Sequence, residues 1–468
     1  MSTEDQTPFK SVPNDDIVVQ GADVAKKRLF KIIVSLLLLV VGIVVIIIVI
    51  KNSGSIDEKE PNRELPEDNS TKPEDNSTKP EDNSTKPEDN STDWPEDNST
   101  NYIKAIYLCP GDYKDCKFYD HNYTDSNHTN QISSITVDDK RVSVQPYQRF
   151  NENGNRTVVI KFKNPVNDMT DFFFRAEYLL EVDFSNFDTS EMTIMNQMFW
   201  YCPRLISITW GNNFSTSKVT EMSGLFAFCY EIKWLDVIKF DTSKVTTFHS
   251  MFSHCEKITQ LNFKNFDTSS VTDFEDMFKS CRSLTSLDLS SFNTSKVVSM
   301  RQMFGWCYRL SSLNVSNFDT SSVVNMESMF RGCYDLETLD LSNWVTTSLE
   351  NAETMFRYCS SLKTLKQKFT SEKLLTSGGM FYSCSHLNTI DLSWLVGEVL
   401  HNISYMFYNS NLTSIDLSNF ECQKCNNTDK VFTNLPKNGI LIYDSKKINP
   451  NVLLALPIEW ERKDISNS

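Results

Sequence analysis

Eight cysteines recur along this chain at an almost constant spacing. They are Cys202, Cys229, Cys255, Cys281, Cys307, Cys333, Cys359 and Cys384. Successive members stand 27, 26, 26, 26, 26, 26 and 25 residues apart, Ala176 takes the same place one period earlier, and Asn409 or Ser410 takes it one period later. Periods of about 20 to 50 residues are typical of solenoids, whose repeats stack on one another. The spacing therefore predicts a solenoid of about ten rungs, each of about 26 residues.

The rung that starts at Cys281 shows what one repeat contains. Leu287 and Leu289 alternate with polar residues, which predicts a short strand, and Asn293 opens an Asn-Thr-Ser turn sequence. A unit of this size cannot bury its own apolar face, so neighbouring rungs must share one core. We therefore expect a β-rich repeat solenoid over residues 176–420.

The segments on either side of the repeats are expected to close the ends of the solenoid. Residues 102–175 should form an N-terminal β cap, because residues 157–162 are rich in strand-forming side chains. Residues 421–468 should form a C-terminal cap, with residues 439–443 as the last strand. Such caps cover the apolar face that the first and last rungs would otherwise expose.

An apolar run near the start of the chain predicts a membrane anchor. Residues 32–50 carry no charge and are rich in Val, Ile and Leu, and such a helix spans roughly 30 Å, the thickness of a bilayer core. A cleaved signal peptide is the rival interpretation, but it usually has a shorter apolar region and a small-residue cleavage site. Basic residues 26–28 place residues 1–28 in the cytoplasm by the positive-inside rule. We expect a single-pass plasma-membrane protein, with residues 29–50 as the transmembrane helix and the C-terminal region outside.

Residues 51–101 have the composition of a disordered stalk. They contain five near-identical PEDNST copies and carry fifteen acidic and six basic side chains, so they have little apolar surface to offset the entropy of ordering. Each copy holds an N-glycosylation acceptor, at Asn69, Asn76, Asn83, Asn90 and Asn98. The net charge of −15 for the whole chain argues against a nucleic-acid partner, which would require clustered basic residues.

The repeat resembles a known family. The pattern Met-Phe-x-x-Cys-x-x-Leu-x-x-Leu begins at Met277 and again at Met303, and it recurs with changes in the other rungs. It looks like the repeat of the BspA-type leucine-rich-repeat surface proteins, and the resemblance covers residues 170–420. It implies a leucine-rich-repeat-like β-solenoid and a role in adhesion or surface antigen display. The anchor and the stalk are not part of that repeat pattern.

The cysteine column allows three interpretations: a metal ladder, a disulfide stack or a row of small buried thiols. Zinc needs four converging ligands, and a straight column offers each thiol only two equivalent neighbours. Ala176 in the first rung replaces a packing group and not a ligand. The sequence therefore favours reduced, buried thiols, and we expect no metal and no cofactor.

Four further cysteines lie outside the column, in two close pairs. Cys109 and Cys116 precede the repeats, whereas Cys422 and Cys425 follow them. In an extracellular setting each pair predicts a disulfide that clamps a cap. The Cys-x-x-Cys spacing of the second pair is also found in redox and zinc sites, but this chain has no second such pair beside it.

One polar position recurs between the two core leucines of each strand. We call it the strand stripe; it consists of Asp183, Thr209, Asp236, Asn262, Asp288, Asn314, Asp340, Lys366, Asp391 and Asp416. Two interpretations stay open. Asp and Asn side chains often bond the local backbone at the end of a strand. Alternatively, Asp236, Asn262, Asp288, Asn314 and Asp340 form a recognition surface for Ca²⁺ or a basic partner.

Aromatic residues beside the cysteines form the second candidate surface. The positions are Trp200, Tyr201, Phe228, Tyr230, Trp306, Tyr308, Tyr334 and Tyr358, of which the last four are the candidate binding edge. Exposed aromatic rings are typical of protein contacts and of sugar stacking. The alternative is that part of this set only packs against the core.

Catalysis finds little support in the sequence. The six histidines fall in no nucleophile motif, and His249 and His254 suggest a solvated pair more than a ligand set. We expect a cell-surface protein that binds an extracellular protein or glycan on a host or neighbouring cell, and not an enzyme. The alternative is a passive coat or antigen without a specific ligand.

Overall fold

The computed structural model describes residue 97 and residues 99–120, 131–367, 370–392, 395 and 399–466. The predicted tail (1–28), the predicted membrane helix (29–50), most of the predicted stalk and its five glycosylation acceptors therefore lie outside the described residues. Across the part of the chain that is described, no helix combines the length and the apolar character needed to cross a membrane.

The described residues contain sixteen strands and one short helix. In chain order these are β1 (Tyr102–Cys109), β2 (Asp115–Lys117), β3 (Ile132–Val137), β4 (Lys140–Val142), β5 (Tyr147–Arg149), β6 (Gly154–Phe162), β7 (Leu179–Asp183), β8 (Ser207–Thr209), β9 (Ser286–Leu287), β10 (Ser312–Leu313), β11 (Thr338–Leu341), β12 (Thr364–Gln367), β13 (Thr389–Asp391), β14 (Ser414–Leu417), β15 (Ile440–Tyr443), α1 (Pro450–Leu454) and β16 (Glu461–Asp464).

The N-terminal strands form a sheet that joins the first rungs. Its order is β4-β3-β6-β1-β7-β8, and β1 pairs antiparallel with both β6 and β7. Strand β7 then pairs in parallel with β8 in the next rung. The sheet thus covers the start of the solenoid by edge pairing, and a disulfide joins Cys109 at the end of β1 to Cys116 in β2.

Asp97 and Ser99, in the last PEDNST copy, hydrogen-bond to this N-terminal sheet. The Asp97 carboxylate accepts hydrogen bonds from Ser133 Oγ at 2.8 Å and from the hydroxyl of Ser134. Ser99 Oγ donates to the Phe162 carbonyl at 2.6 Å, and Asn101 Oδ1 accepts from the Asp188 N–H at 2.8 Å. The predicted stalk reached residue 101, whereas Asp97 and residues 99–101 belong to the folded unit. Short polar side chains have enough hydrogen-bond partners here to be ordered without an apolar surface.

Parallel strands stack the rungs along a first ladder, which consists of separate short sheets: β7 with β8, β9 with β10, β11 with β12, and β13 through β16. Leu313 lies beside Leu287, and Ile415 lies beside Ile390, each one repeat along the chain. The expected strand at residues 439–443 is β15, but it is not the last one, because β16 adds to it in parallel. The ladder therefore continues beyond residue 420, through the segment that the sequence suggested as a separate C-terminal cap.

A second ladder, which the sequence pattern did not suggest, runs through single residues paired in parallel. Its longest stretch connects Thr247, Asp273, Ser299, Asn325, Asn351, Thr376, Asn402 and Asn427. One residue per rung is too short a strand to leave an alternating sequence signal. The chain between this second ladder and the cysteine contains two residues with positive φ, such as Gln302 (50°) and Trp306 (62°).

A stack of phenylalanine rings fills the core. Phe173, Phe199, Phe226, Phe252, Phe278, Phe304, Phe330, Phe356, Phe381, Phe407 and Phe432 lie one above the other. Neighbouring centroids are separated by 5.3 Å to 6.1 Å, as between Phe173 and Phe199 and between Phe381 and Phe407. This offset stacking contributes about 0.5–1.5 kcal/mol per pair beyond apolar burial.

The eight cysteines of the column are buried, unbridged and hydrogen-bonded. Each thiol donates to the carbonyl of the stacked phenylalanine in the preceding rung; Cys307, for example, donates to the Phe278 carbonyl at 3.1 Å. Burial raises the pKa of the Cys307 thiol to about 12. The thiols therefore stay protonated, and they tie each turn to the one before it.

A column of buried threonines provides a second tie between rungs. Thr268 Oγ1 donates to the Asn293 carbonyl at 2.8 Å and accepts from the Asn293 N–H at 2.7 Å. Thr242 makes the same pair of bonds with Asp267, at 2.9 Å each. Each threonine thus satisfies two backbone groups of the next rung, which explains why the turn sequence repeats Thr at this place.

Candidate binding surface

Seven aromatic side chains form a continuous strip along one edge of the solenoid. We call them the aromatic strip: Trp306, Tyr308, Tyr334, Tyr358, Tyr382, Tyr405 and Tyr408. Successive rings have centroids 4.8 Å to 6.4 Å apart, as in the pairs Tyr382–Tyr408 and Tyr382–Tyr405. All seven side chains are partly buried. The strip crosses five consecutive turns, so its length is about 20 Å at the spacing of parallel strands.

The backbone of the turn before each cysteine orients these rings. Trp306 and Tyr358 both have positive φ, 62° and 64°, and the Tyr358 N–H donates to the Tyr382 carbonyl of the next rung at 2.8 Å. Gly332 lies under Trp306, and a Cβ atom there would stand 2.4 Å from the indole Cε3 atom. The glycine therefore makes room for the indole ring.

Guanidinium groups lie on the rings of the strip. The Arg331 guanidinium carbon is 4.7 Å from the Trp306 ring centroid, and that of Arg357 is 4.9 Å from Tyr358 and 4.1 Å from Tyr382. Such cation–π contacts contribute about 0.5–2 kcal/mol each and fix the orientation of the guanidinium plane. Arg357 also donates from Nη2 to the Tyr358 hydroxyl at 3.1 Å.

The segments directly around the strip rings contain no acidic residue, and Glu327, Asp335 and Glu353 flank them. Asp and Glu are absent from residues 302–308, 328–334, 354–360, 379–385 and 405–411. Positive charge is contributed within these turns by Arg331 and Arg357.

The structure extends the candidate edge that the sequence suggested. Trp306, Tyr308, Tyr334 and Tyr358 do lie together, and Tyr382, Tyr405 and Tyr408 continue the row. Adjacency to cysteine provides no signal for these three tyrosines, because none of them stands next to a cysteine and the last rung of the strip has Ser410 in place of cysteine. Their common offset from the phenylalanine stack would have found Tyr382 and Tyr408, which directly follow Phe381 and Phe407.

The remaining predicted aromatics form a separate cluster nearer the N-terminus. Trp200, Tyr201, Phe228 and Tyr230 have ring centroids 5.0 Å to 6.3 Å apart. His254 stacks on Phe228 at 4.4 Å. This cluster is shorter than the aromatic strip.

The strand stripe bonds its own backbone. Asp288 Oδ1 accepts from the Ser290 N–H at 3.0 Å, and Asn262, Asn314, Asp340, Asp183, Asp236 and Asp416 each accept from the N–H two residues later. The Ser342 hydroxyl and N–H, with Lys366, lower the pKa of Asp340 to about 2. The local capping interpretation therefore accounts for most of the stripe without a ligand.

A comparison with protein families places this repeat. The profile of the family described as "Mycoplasma protein of unknown function, DUF285" matches residues 149–223, 207–313, 282–394 and 367–441. Together these stretches cover residues 149–441, more than half of the 468 residues. The chain belongs to the DUF285 family. The four DUF285 matches include the whole aromatic strip and the whole cysteine column. No curated protein is similar enough to the chain to count as a match.

The DUF285 repeats also bring together His249, Asp273 and Glu275, with one ligand atom of each within 4.8 Å of the others. A nitrogen and two carboxylate oxygens suit a transition metal such as zinc. However, Arg301 Nη1 lies 2.9 Å from Glu275 Oε1, and a hydrogen bond with Asp273 raises the pKa of His249. A metal ion would have to displace both a guanidinium and a proton, so we assign no metal to this cluster. His249 and His254 do not pair with each other, because each has its own partner.

The C-terminal cysteine pair lies at the far end of the repeats. Cys422 and Cys425 form a disulfide, and both are buried. The Cys422 N–H donates to the Lys447 carbonyl at 2.9 Å. This pair therefore ties the DUF285 repeats to the segment that carries β15 and α1.

Proposed function

We propose that this DUF285 chain is a cell-surface binding protein of the BspA-like leucine-rich-repeat type, and that its aromatic strip contacts the ligand. The observation that carries the proposal is the strip itself. Seven aromatic rings and two guanidinium groups occupy five successive turns. Core padding does not require arginine, because buried charges are costly unless they are paired.

The proposed topology completes this role. Residues 29–50 anchor the chain, residues 1–28 are cytoplasmic, and the acidic stalk holds the solenoid away from the membrane. The uncharged apolar run and the low apolar content of the stalk support this topology. The strip would then face other cells or the surrounding matrix, where it meets protein or glycan.

The test compares attachment of cells that display the full chain. The double variant Trp306→Ala/Tyr358→Ala removes two rings that contact each other in the strip. The matched control is Trp234→Ala/Tyr113→Ala, which removes one tryptophan and one tyrosine that are 60% and 62% exposed elsewhere. Attachment to epithelial cells and to matrix-coated surfaces should fall at least tenfold for the first variant and remain for the second.

A further variant separates the strip from the strand stripe. Asp236→Asn/Asp288→Asn/Asp340→Asn keeps the acceptor oxygens that bond the local backbone, so folding should persist. We expect this variant to attach normally. Loss of attachment here, with the strip variant unaffected, would move the site to the stripe. No attachment by the unmodified chain to any surface would favour a passive coat.

A further inference from the structure

We propose that the C-terminal end of the solenoid docks a second copy of this chain, and that the two copies join tail to tail by antiparallel pairing of strand β16. This inference goes beyond the proposed function, because it requires neither the aromatic strip nor its ligand. It follows from three properties of the last turn: an open strand edge, an exposed apolar patch and the order of charges along β16.

The last strand of the solenoid has an open edge. In the part of the chain that the structure describes, β16 pairs only with β15. The Glu461 N–H donates to the Gly439 carbonyl beside β15 at 2.8 Å. Backbone groups of successive residues point to opposite edges of a strand, so those of Arg462 and Asp464 point away from β15. They are therefore directed toward any strand that docks on this edge.

The same turn, residues 444–466, carries an exposed apolar patch. Leu454 in α1 is 80% exposed, and Ile458 in the connection from α1 to β16 is 93% exposed. Among the described residues these are the two most exposed large hydrophobic side chains. The end of a solenoid usually presents a polar surface, because no further repeat covers it. Apolar side chains in a turn that also has an open strand edge are instead typical of an interface.

The order of charges makes β16 complementary to an antiparallel copy of itself. The strand reads Glu461, Arg462, Lys463, Asp464, and all four residues are exposed. A two-fold axis at Lys463 places Arg462 opposite Asp464 of the second copy, and the symmetry repeats this pair on the other side of the axis. The outward backbone groups of the same two residues then bond each other across the axis. Opposite charges on facing residues stabilise an antiparallel pair.

This charge pattern favours a second copy over an unrelated strand. Charged residues on an edge strand usually prevent unspecific pairing. A shift of the register by one residue would place Glu461 opposite Asp464 and Arg462 opposite Lys463, so that like charges would repel in both pairs. In the register centred on Lys463 only this residue faces its own kind, and its ammonium lies 3.6 Å from the Glu461 carboxylate of the same chain.

The test measures self-association of the full chain purified in detergent, by analytical ultracentrifugation. We expect a weak dimer whose fraction rises with protein concentration, because the interface is small. Arg462→Asp and Asp464→Arg should each dimerise about tenfold more weakly, since both facing pairs change from attraction to repulsion. An equimolar mixture of these two variants should recover the dimer, because two acids on one chain then face two bases on the other.

Further variants locate the contact. Lys463→Cys should form a disulfide-linked dimer under mild oxidation, because the axis brings the two copies of this residue together. The matched control is Lys437→Cys, an exposed lysine outside the last turn, which should stay unlinked. Ile458→Ser should weaken the dimer, whereas Val298→Ser, which also removes an exposed apolar side chain, should leave it unchanged. Equal thermal unfolding midpoints establish that the variants are folded.

The outcomes separate this inference from the proposed function. A chain that stays monomeric at every concentration, charge-reversed variants that dimerise like the unmodified chain, or a mixture that recovers no dimer overturns the inference. The strip variant Trp306→Ala/Tyr358→Ala should dimerise normally, and loss of its dimer would place the contact on the strip and overturn the inference as well. Strip-dependent attachment of cells that display a monomeric chain would leave the proposed function standing.

Discussion

Replacing Thr268 by valine tests whether the buried threonine column ties the rungs together. Valine matches threonine in shape but cannot bond, so both the Asn293 N–H and the Asn293 carbonyl lose their partner. A buried group left unpaired costs about 1–3 kcal/mol. The Asn293 side chain is exposed, so water partly replaces the lost partner, and we expect a total loss at the lower end, about 2 kcal/mol.

The assay is denaturant unfolding of the full chain, combined with hydrogen exchange of the Asn293 amide. The control is Thr285→Val, the same substitution at an exposed position. We expect the Asn293 amide to exchange faster in Thr268→Val only, together with a lower unfolding midpoint. A Thr268→Val variant that unfolds within 0.5 kcal/mol of the unmodified chain, a threshold of about the size of ordinary surface effects, would refute the reasoning.

Two further predictions concern titratable groups. The column thiols are buried and have raised pKa values, so a thiol reagent should label none of them in the folded chain. In the unfolded, unreduced chain the reagent should label about eight, the number of free cysteines. A count near zero in the unfolded chain would show that the column is oxidised. Burial, with Lys279 and Arg282, lowers the pKa of His254 to about 4. As the pH drops, His254 is therefore protonated at a higher pH in the unfolded chain than in the folded chain. The free energy of unfolding should fall as the pH drops from 6.5 to 4. A His254→Gln variant should lose part of that pH dependence in thermal unfolding, and an unchanged profile would contradict the assignment.

The sequence predicted the repeat and its period, but it did not predict the hydrogen bonds that hold neighbouring turns together. The cysteine period defined the turns, because a buried small residue must recur wherever rungs stack. Hydrophobic periodicity could not show that Cys307 donates to a carbonyl, since a thiol and an alanine have similar burial patterns. The second ladder left no alternation because it has one residue per turn. The sequence therefore predicts which residues of neighbouring turns lie in register, whereas only the structure shows their hydrogen-bond partners.

The candidate site was predicted in part. Trp306 and Tyr358 were found because aromatic residues next to cysteine are conspicuous, and the structure joins them at 6.1 Å. The extension to Tyr408 could be found only once the structure showed which positions of the repeat lie on the same edge of the solenoid. The strand stripe was predicted less well than the aromatic edge. Residues such as Asp288 recur at the spacing of a ligand array, but in the structure Asp288 accepts a hydrogen bond from the N–H two residues later. Both outcomes depend on side-chain direction, which spacing alone does not contain.

The phenylalanine stack has a consequence for how proteins of this architecture change in length. Every ring meets the same kind of ring above and below, so removal of one complete turn, such as residues 281–306, would bring Phe278 onto the ring that Phe304 contacted before. Gain or loss of a whole repeat by recombination between similar gene segments thus preserves each internal junction. A partial repeat would break every column at once. The length of such a molecule therefore varies by whole turns, and the solenoid can become longer or shorter while the packing between neighbouring turns stays the same.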